Sequence, residues 1–291
     1  MKGTKKCIYI SNNPKKTKNM TFKEFEKRYD WLWFTYSEYD LVESAKKEIE
    51  LCRRFFVENR STMNDKELAQ MLYKYVQCLN GYPDDNAELG KIVILREKVC
   101  RRLAKQSFED YGEEWACAMF DKAFQGQMPD SLADYDACIA IWERVIQELG
   151  RRCETSLAGH CFHAAVDCEY NKLYEKAFEY IERALGIYQK EGNLARYDIL
   201  TLGLCQKIAA NALTKLGRYD EAEERLEKAE EILLEWSNMH ENAGSTVIMD
   251  IFMGECNDIR DEIRKRRENE GKNTIKKKDK IIRQTTWKTQ E

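Results

Sequence analysis

The densest group of metal-ligating and nucleophilic side chains in the 291-residue sequence is Cys153, His160, Cys161, His163 and Cys168. Thiolate and imidazole together are the ligand set of zinc. Placed on one helix, the five span about half the circumference, so three could approach one ion. Zinc sites take their ligands from a tight loop or from two elements, however, and Cys161 and Cys168 fall at positions that the apolar pattern points inward. The spacing therefore predicts core thiols and ordinary histidines, with no metal and no cofactor. No catalytic set converges elsewhere. The sequence has no phosphate-binding glycine loop, no GxSxG and no HExxH, and its three histidines include His240 in a polar stretch. The carboxylates between Glu221 and Glu231 alternate with Lys and Arg at i, i+4, the pattern of a solvated helix face. No catalytic residue is expected, which leaves functions of binding.

Charge is the second chemical signal. Residues 1–20 carry six lysines and no acid, and residues 264–291 carry eleven Lys or Arg against four acids. With a net charge of −3 for the whole chain, residues 21–263 hold sixteen net negative charges. Lys276, Lys277, Lys278, Lys280 and Arg283, with Trp287 available for stacking, form the main cationic run and the candidate contact for nucleic acid or an acidic partner. The acidic body repels phosphate, which favours an acidic protein surface over nucleic acid.

These side chains have to be positioned by helices. The chain has 3 prolines and 14 glycines, few for its length, and proline costs about 3 kcal/mol inside a helix. Tyr174, Ala177, Ile181, Ala184 and Tyr188 follow steps of 3, 4, 3 and 4, and 45 residues later Tyr219, Ala222, Leu226, Ala229 and Leu233 repeat them. Such steps put five side chains on one helix face, with the alanines admitting a close neighbour. Tyr135, Cys138, Trp142, Val145 and Leu149, and Val42, Ala45, Ile49, Cys52 and Phe56, keep the same steps. Thr21-Phe22-Lys23-Glu24 has the form of a capping box, Asp40-Leu41-Val42-Glu43 offers a second cap, and Asn64-Asp65-Lys66-Glu67 opens a further helix.

The expected organisation is a flexible basic leader (1–20), a helical repeat domain (21–267) and a basic, mobile tail (268–291). The repeat domain holds about five helix pairs. A last helix over about 245–267 closes the stack through Val247, Ile248, Ile251, Phe252, Cys256, Ile259 and Ile263. One pair cannot bury its apolar face alone, so neighbours must stack into one core. The aromatic-rich first helix, with Trp31, Trp33, Phe34 and Tyr36, has more bulk than an end repeat needs and is expected to cover a partner or a second copy. No run of about 18 apolar residues predicts a membrane span, no secretory signal is expected, and eleven cysteines without a CxxC pair predict reduced thiols in a cytoplasmic protein.

The last two pairs resemble the tetratricopeptide repeat (TPR) family. Its small residue midway along the first helix, its turn aromatic and its two alanines seven residues apart are matched by Ala165, Tyr174, Ala177 and Ala184, and by Ala210, Tyr219, Ala222 and Ala229, with Gly217 at the turn glycine. Cys138 and Val145 replace the alanines in the third pair, and repeat spacings of 45 and 39 residues exceed the family's usual ~34. Long repeats of this kind look more like the kinesin-light-chain type and bacterial peptide-sensing regulators than the co-chaperone type. The resemblance implies an all-α, right-handed α-solenoid of about five pairs plus a capping helix. It also implies a concave groove lined mainly by first helices, which usually binds a peptide or helix. Phe162, Val166, Lys207, Asn211 and Lys215 stand at groove positions. Lys207 and Asn211 match the lysine and asparagine of carboxylate-clamp repeats, but the clamp needs further cations from following repeats and only a capping helix follows.

The expected function is a non-catalytic scaffold or adaptor that binds a protein or peptide, with a place as a subunit of a larger complex. The alternatives are a peptide-sensing signalling regulator, and a subunit of a nucleic-acid-associated complex that uses the basic termini.

Overall fold

The computed structural model describes residues 20–36, 41–80, 86–126, 128–150, 153–190, 196–239 and 243–288. Within these, the side chains of 33–36, 41–44, 86, 196–197, 243–246 and 271–288 are not part of the description. Eleven helices and no strand occur among the described residues. The chain divides into two compact units, residues 1–126 and 127–291. In each, consecutive helices pack in chain order, the packing of an α-solenoid.

Unit 1 holds α1 (Phe22–Tyr36), α2 (Leu41–Asn59), α3 (Asp65–Asn80), α4 (Asn86–Gln106) and α5 (Phe108–Phe124). Two of the expected caps form. Glu24 accepts from the Thr21 N–H at 2.8 Å while Thr21 Oγ1 accepts from the Glu24 N–H at 3.3 Å. Asn64 and Glu67 make the same exchange at 2.9 and 3.2 Å. Each exchange satisfies N–H groups that have no partner inside the helix. Asp40 lies outside what is described, as do the side chains of Trp33, Phe34 and Tyr36. The core is aromatic at one end, where the Phe25 and Phe55 rings stack with centroids 4.4 Å apart. It continues through Met71, Leu72, Tyr75 and Leu79 to Leu89, Val99 and Leu103.

Unit 2 holds α6 (Leu132–Leu149), α7 (Glu154–Tyr170), α8 (Tyr174–Tyr188), α9 (Arg196–Lys215), α10 (Tyr219–Asn238) and α11 (Ala243–Lys288). The small residues do what their spacing predicts. Ala165, Ala177, Ala184, Ala210, Ala222 and Ala229 are fully buried, and helices close over them. The tightest approach is at Gly203 on α9, where an added Cβ would meet the Leu233 side chain of α10 at 2.8 Å. Besides the pairing of neighbours, α7 packs on α9 and α9 on α11, so these three form one layer.

The closing helix differs from expectation in two ways. Cys256, Ile259 and Ile263 are buried as expected, but Val247, Ile248 and Ile251 are 60%, 39% and 55% exposed, and Met249 is the buried residue of that turn. The 3–4 spacing is satisfied by either neighbouring stripe of a helix, so periodicity alone does not select the inward one. The helix also continues beyond Arg267 to Lys288, where the sequence predicts a mobile tail. After Gly254 only Gly271 interrupts a run without proline, so no residue type there stops it. No helix is long and apolar enough among the described residues to cross a membrane.

Candidate functional site

The predicted groove residues Lys207, Asn211 and Lys215 of unit 2 each meet an acid of this same chain. On α9, Lys207 donates to Glu255 of α11, and its ammonium lies 5.3 Å from the centroid of the Phe252 ring. Asn211 Nδ2 donates to Glu169 of α7 at 2.5 Å. Lys215 Nζ donates to both carboxylate oxygens of Glu262 of α11, at 2.6 and 2.5 Å. Burial pushes the Glu169 carboxyl up, against the Asn211 hydrogen bond and the Lys207 charge. Burial also acts on Glu262, but hydrogen bonds from Lys215 and Arg266 hold it below the usual range. Partly exposed pairs of this kind are worth about 0–1 kcal/mol each. An incoming carboxylate could exchange with them and would gain little net. Phe162 and Val166 lie one turn apart on α7 and are half-buried, and one turn further Tyr170 is 87% exposed.

The cysteine and histidine group of α7 is placed by packing. Cys161 and Cys168 are buried, and burial pushes each thiol up to about 12. The His160 ring stacks on Trp142 of α6 with centroids 5.6 Å apart, and burial lowers it to about 4. The His163 ring stands edge-on to Phe162 at 5.4 Å. Among the described residues no three His, Cys, Asp or Glu side chains are grouped to hold a metal ion. Lys276, Lys277, Lys278, Lys280 and Arg283 fall on the last turns of α11, and their side chains lie outside the described residues.

Sequence reasoning missed a cleft of about 440 Å³ in unit 1. Its walls are the first helices α1, α3 and α5, with α4 beneath. Tyr73 of α3, 50% exposed, is its aromatic wall. Arg96 of α4 lies below with a side chain only 4% exposed, its guanidinium 5.0 Å from the Tyr73 ring centroid and its Nη1 donating to Asp121 of α5. Burial raises the Asp121 carboxyl, partly offset by Arg96. The thiols of Cys100 and Cys117 also border the cleft; burial pushes them up to about 12 and about 11, so both stay protonated and are poor nucleophiles. Three carboxylates, Glu26 from α1 and Glu113 and Glu114 from α5, also line it, with Lys74 of α3. These residues sit on four helices, and no local spacing links them. The weak signal available was Tyr73, an aromatic next to the α3 core positions Leu72 and Tyr75.

No protein-family model matches the chain, and no curated protein matches it. Among solved structures it is similar to BtubC (BKLC) from P. vanneervenii, at a TM-score of 0.50 and 13% identity, covering 76% of this chain and 92% of that one. At that identity the likeness is one of fold, and it agrees with the all-helical architecture.

Proposed function

We propose that the chain is a TPR-like, non-catalytic scaffold that binds a protein or peptide segment through the cleft of unit 1 walled by α1, α3 and α5. One observation carries the reading. The groove positions of α9 are already joined to Glu169, Glu255 and Glu262, whereas the cleft of unit 1 is open and walled by a half-exposed tyrosine. A concave site of a few hundred Å³ with one aromatic wall and a few convergent polar groups is the usual form of a recognition pocket. The two bordering thiols are held protonated and no histidine lines the cleft, which favours binding over nucleophilic or general-base chemistry. The cysteines among the described residues are all free, which fits a reducing, cytoplasmic setting.

The test is quantitative co-purification from the source cells with the wild type and the Tyr73→Ala variant, nuclease-treated and untreated. The expected result is a stoichiometric protein that survives nuclease and is lost on Tyr73→Ala while helicity and Tm stay unchanged. Equal recovery with both proteins removes the cleft as the site, and a loss caused by nuclease alone favours the basic termini.

A further inference from the structure

The charge of the cleft selects among occupants, and the argument rests on the cleft being the binding site proposed above. Both cations at its edge are already engaged. Lys74 Nζ donates to Asp30 at 3.0 Å and lies 4.5 Å from the Tyr29 ring centroid, and Arg96 is held by Asp121. Against them stand Glu26 on one wall and Glu113 and Glu114 on another. Neither Glu26 nor Glu114 forms an ion pair among the described residues. The cleft therefore has a negative balance within low-dielectric walls, a shape that focuses field and draws in cations. A half-exposed tyrosine face adds a second attraction for a cation, and more for a guanidinium, which stacks as well.

A third feature narrows the class. Arg96 Nε is buried and has no hydrogen-bond partner among the described residues, and the Arg96 side chain to which it belongs borders the cleft. A buried donor without an acceptor is costly, so a ligand gains by bringing a neutral acceptor as well as a positive charge. An arginine or lysine within a peptide brings both, its own charge and a backbone carbonyl beside it. A free polyamine brings only the charge.

We infer that the cleft between α1, α3 and α5 takes an arginine or lysine side chain of an extended peptide segment, held by Glu26, Glu113, Glu114 and the Tyr73 ring, with a neighbouring backbone carbonyl accepting from Arg96 Nε.

The experiment pans a random peptide library on the immobilised full-length chain and on its Glu113→Gln/Glu114→Gln variant. Enriched peptides are then measured by fluorescence anisotropy. The expected peptides carry Arg or Lys at a fixed position, and replacing it with citrulline or norleucine weakens binding about tenfold or more. The same loss is expected with the double variant, and spermidine in excess does not displace the peptide. Enriched peptides with no charge requirement, or basic ones indifferent to the two carboxylates, overturn the inference and leave the scaffold reading standing. Displacement by spermidine overturns the choice of a peptide. No enrichment at all overturns both readings. The citrulline comparison changes only the ligand, so it decides the matter even if the double variant folds poorly.

Discussion

Lys172 and Gly217 hold the same turn, 45 residues apart, with φ of 61° and 78°. In each turn two backbone bonds close the helix end. Leu173 N–H reaches the Cys168 carbonyl at 2.8 Å and Lys172 N–H that of Glu169 at 2.9 Å. Arg218 and Gly217 repeat these bonds to Leu213 and Thr214 at 2.9 and 3.2 Å. This is the Schellman ending, and it requires a left-handed residue that costs nothing for glycine and about 1 kcal/mol or more for a residue with a Cβ.

Lys172→Gly should therefore stabilise unit 2 by about 1 kcal/mol, and Gly217→Ala should destabilise it by a similar amount. Urea unfolding followed by circular dichroism measures both. Equal midpoints for wild type and Lys172→Gly would mean that the Lys172 side chain compensates its backbone strain.

The docking of α11 should depend on its apolar stripe far more than on its ion pairs. Ile263 is 1% exposed, and cutting it to alanine should cost about 3 kcal/mol. Lys215 and Glu262 are both partly exposed, so Lys215→Met should cost less than about 1 kcal/mol. Amide hydrogen exchange over 249–263 separates the two. Faster exchange in Ile263→Ala and near-wild-type protection in Lys215→Met is the expected pattern.

Acid should destabilise unit 2 through His160. Packed on Trp142, its imidazole stays neutral down to about pH 4, while the unfolded chain takes up the proton near 6.5. Between those values the unfolded state binds more protons, so stability falls as the pH drops through that window. His163, also lowered by burial, acts in the same direction, whereas Asp167 and Glu169, raised by burial, act oppositely at lower pH. His160→Gln should flatten the fall of the urea midpoint between about pH 6.5 and pH 5. An unchanged slope would assign it to other groups.

These outcomes also mark what the sequence could and could not disclose. Buried stripes such as Tyr135, Cys138, Trp142 and Val145 were legible because apolar spacing and burial have one cause, a helix with one face out of water. The Thr21 and Asn64 caps were legible because their partners lie three residues away. The state of Lys207 and Lys215 was not, since Glu255 and Glu262 lie 48 and 47 residues along the chain and only the packing of α11 brings them in. The cleft was hidden for the same reason. No spacing in the sequence links Tyr73, Arg96 and Glu113, which meet only when α3, α4 and α5 are set side by side.

The buried pair beneath that cleft allows stability and recognition to be separated. Arg96 and Asp121 have side chains 4% and 17% exposed, so each charge has lost most of its water and relies on the other. Asp121→Asn keeps the shape but strands the guanidinium, which should cost about 3–5 kcal/mol. Replacing both partners, as in Arg96→Met/Asp121→Leu, removes the stranded charge along with its partner and should come within about 1 kcal/mol of the wild type or exceed it. The double variant would then fold normally and lack the Nε–H donor, the Tyr73 cation contact and a positive charge beneath the carboxylates. If Arg96 serves the bound segment through its Nε donor, that stable protein should bind the selected basic peptide more weakly than the wild type. If it only offsets the charge of Asp121, binding should be unchanged, and the peptide would be held by Glu26, Glu113, Glu114 and Tyr73 alone.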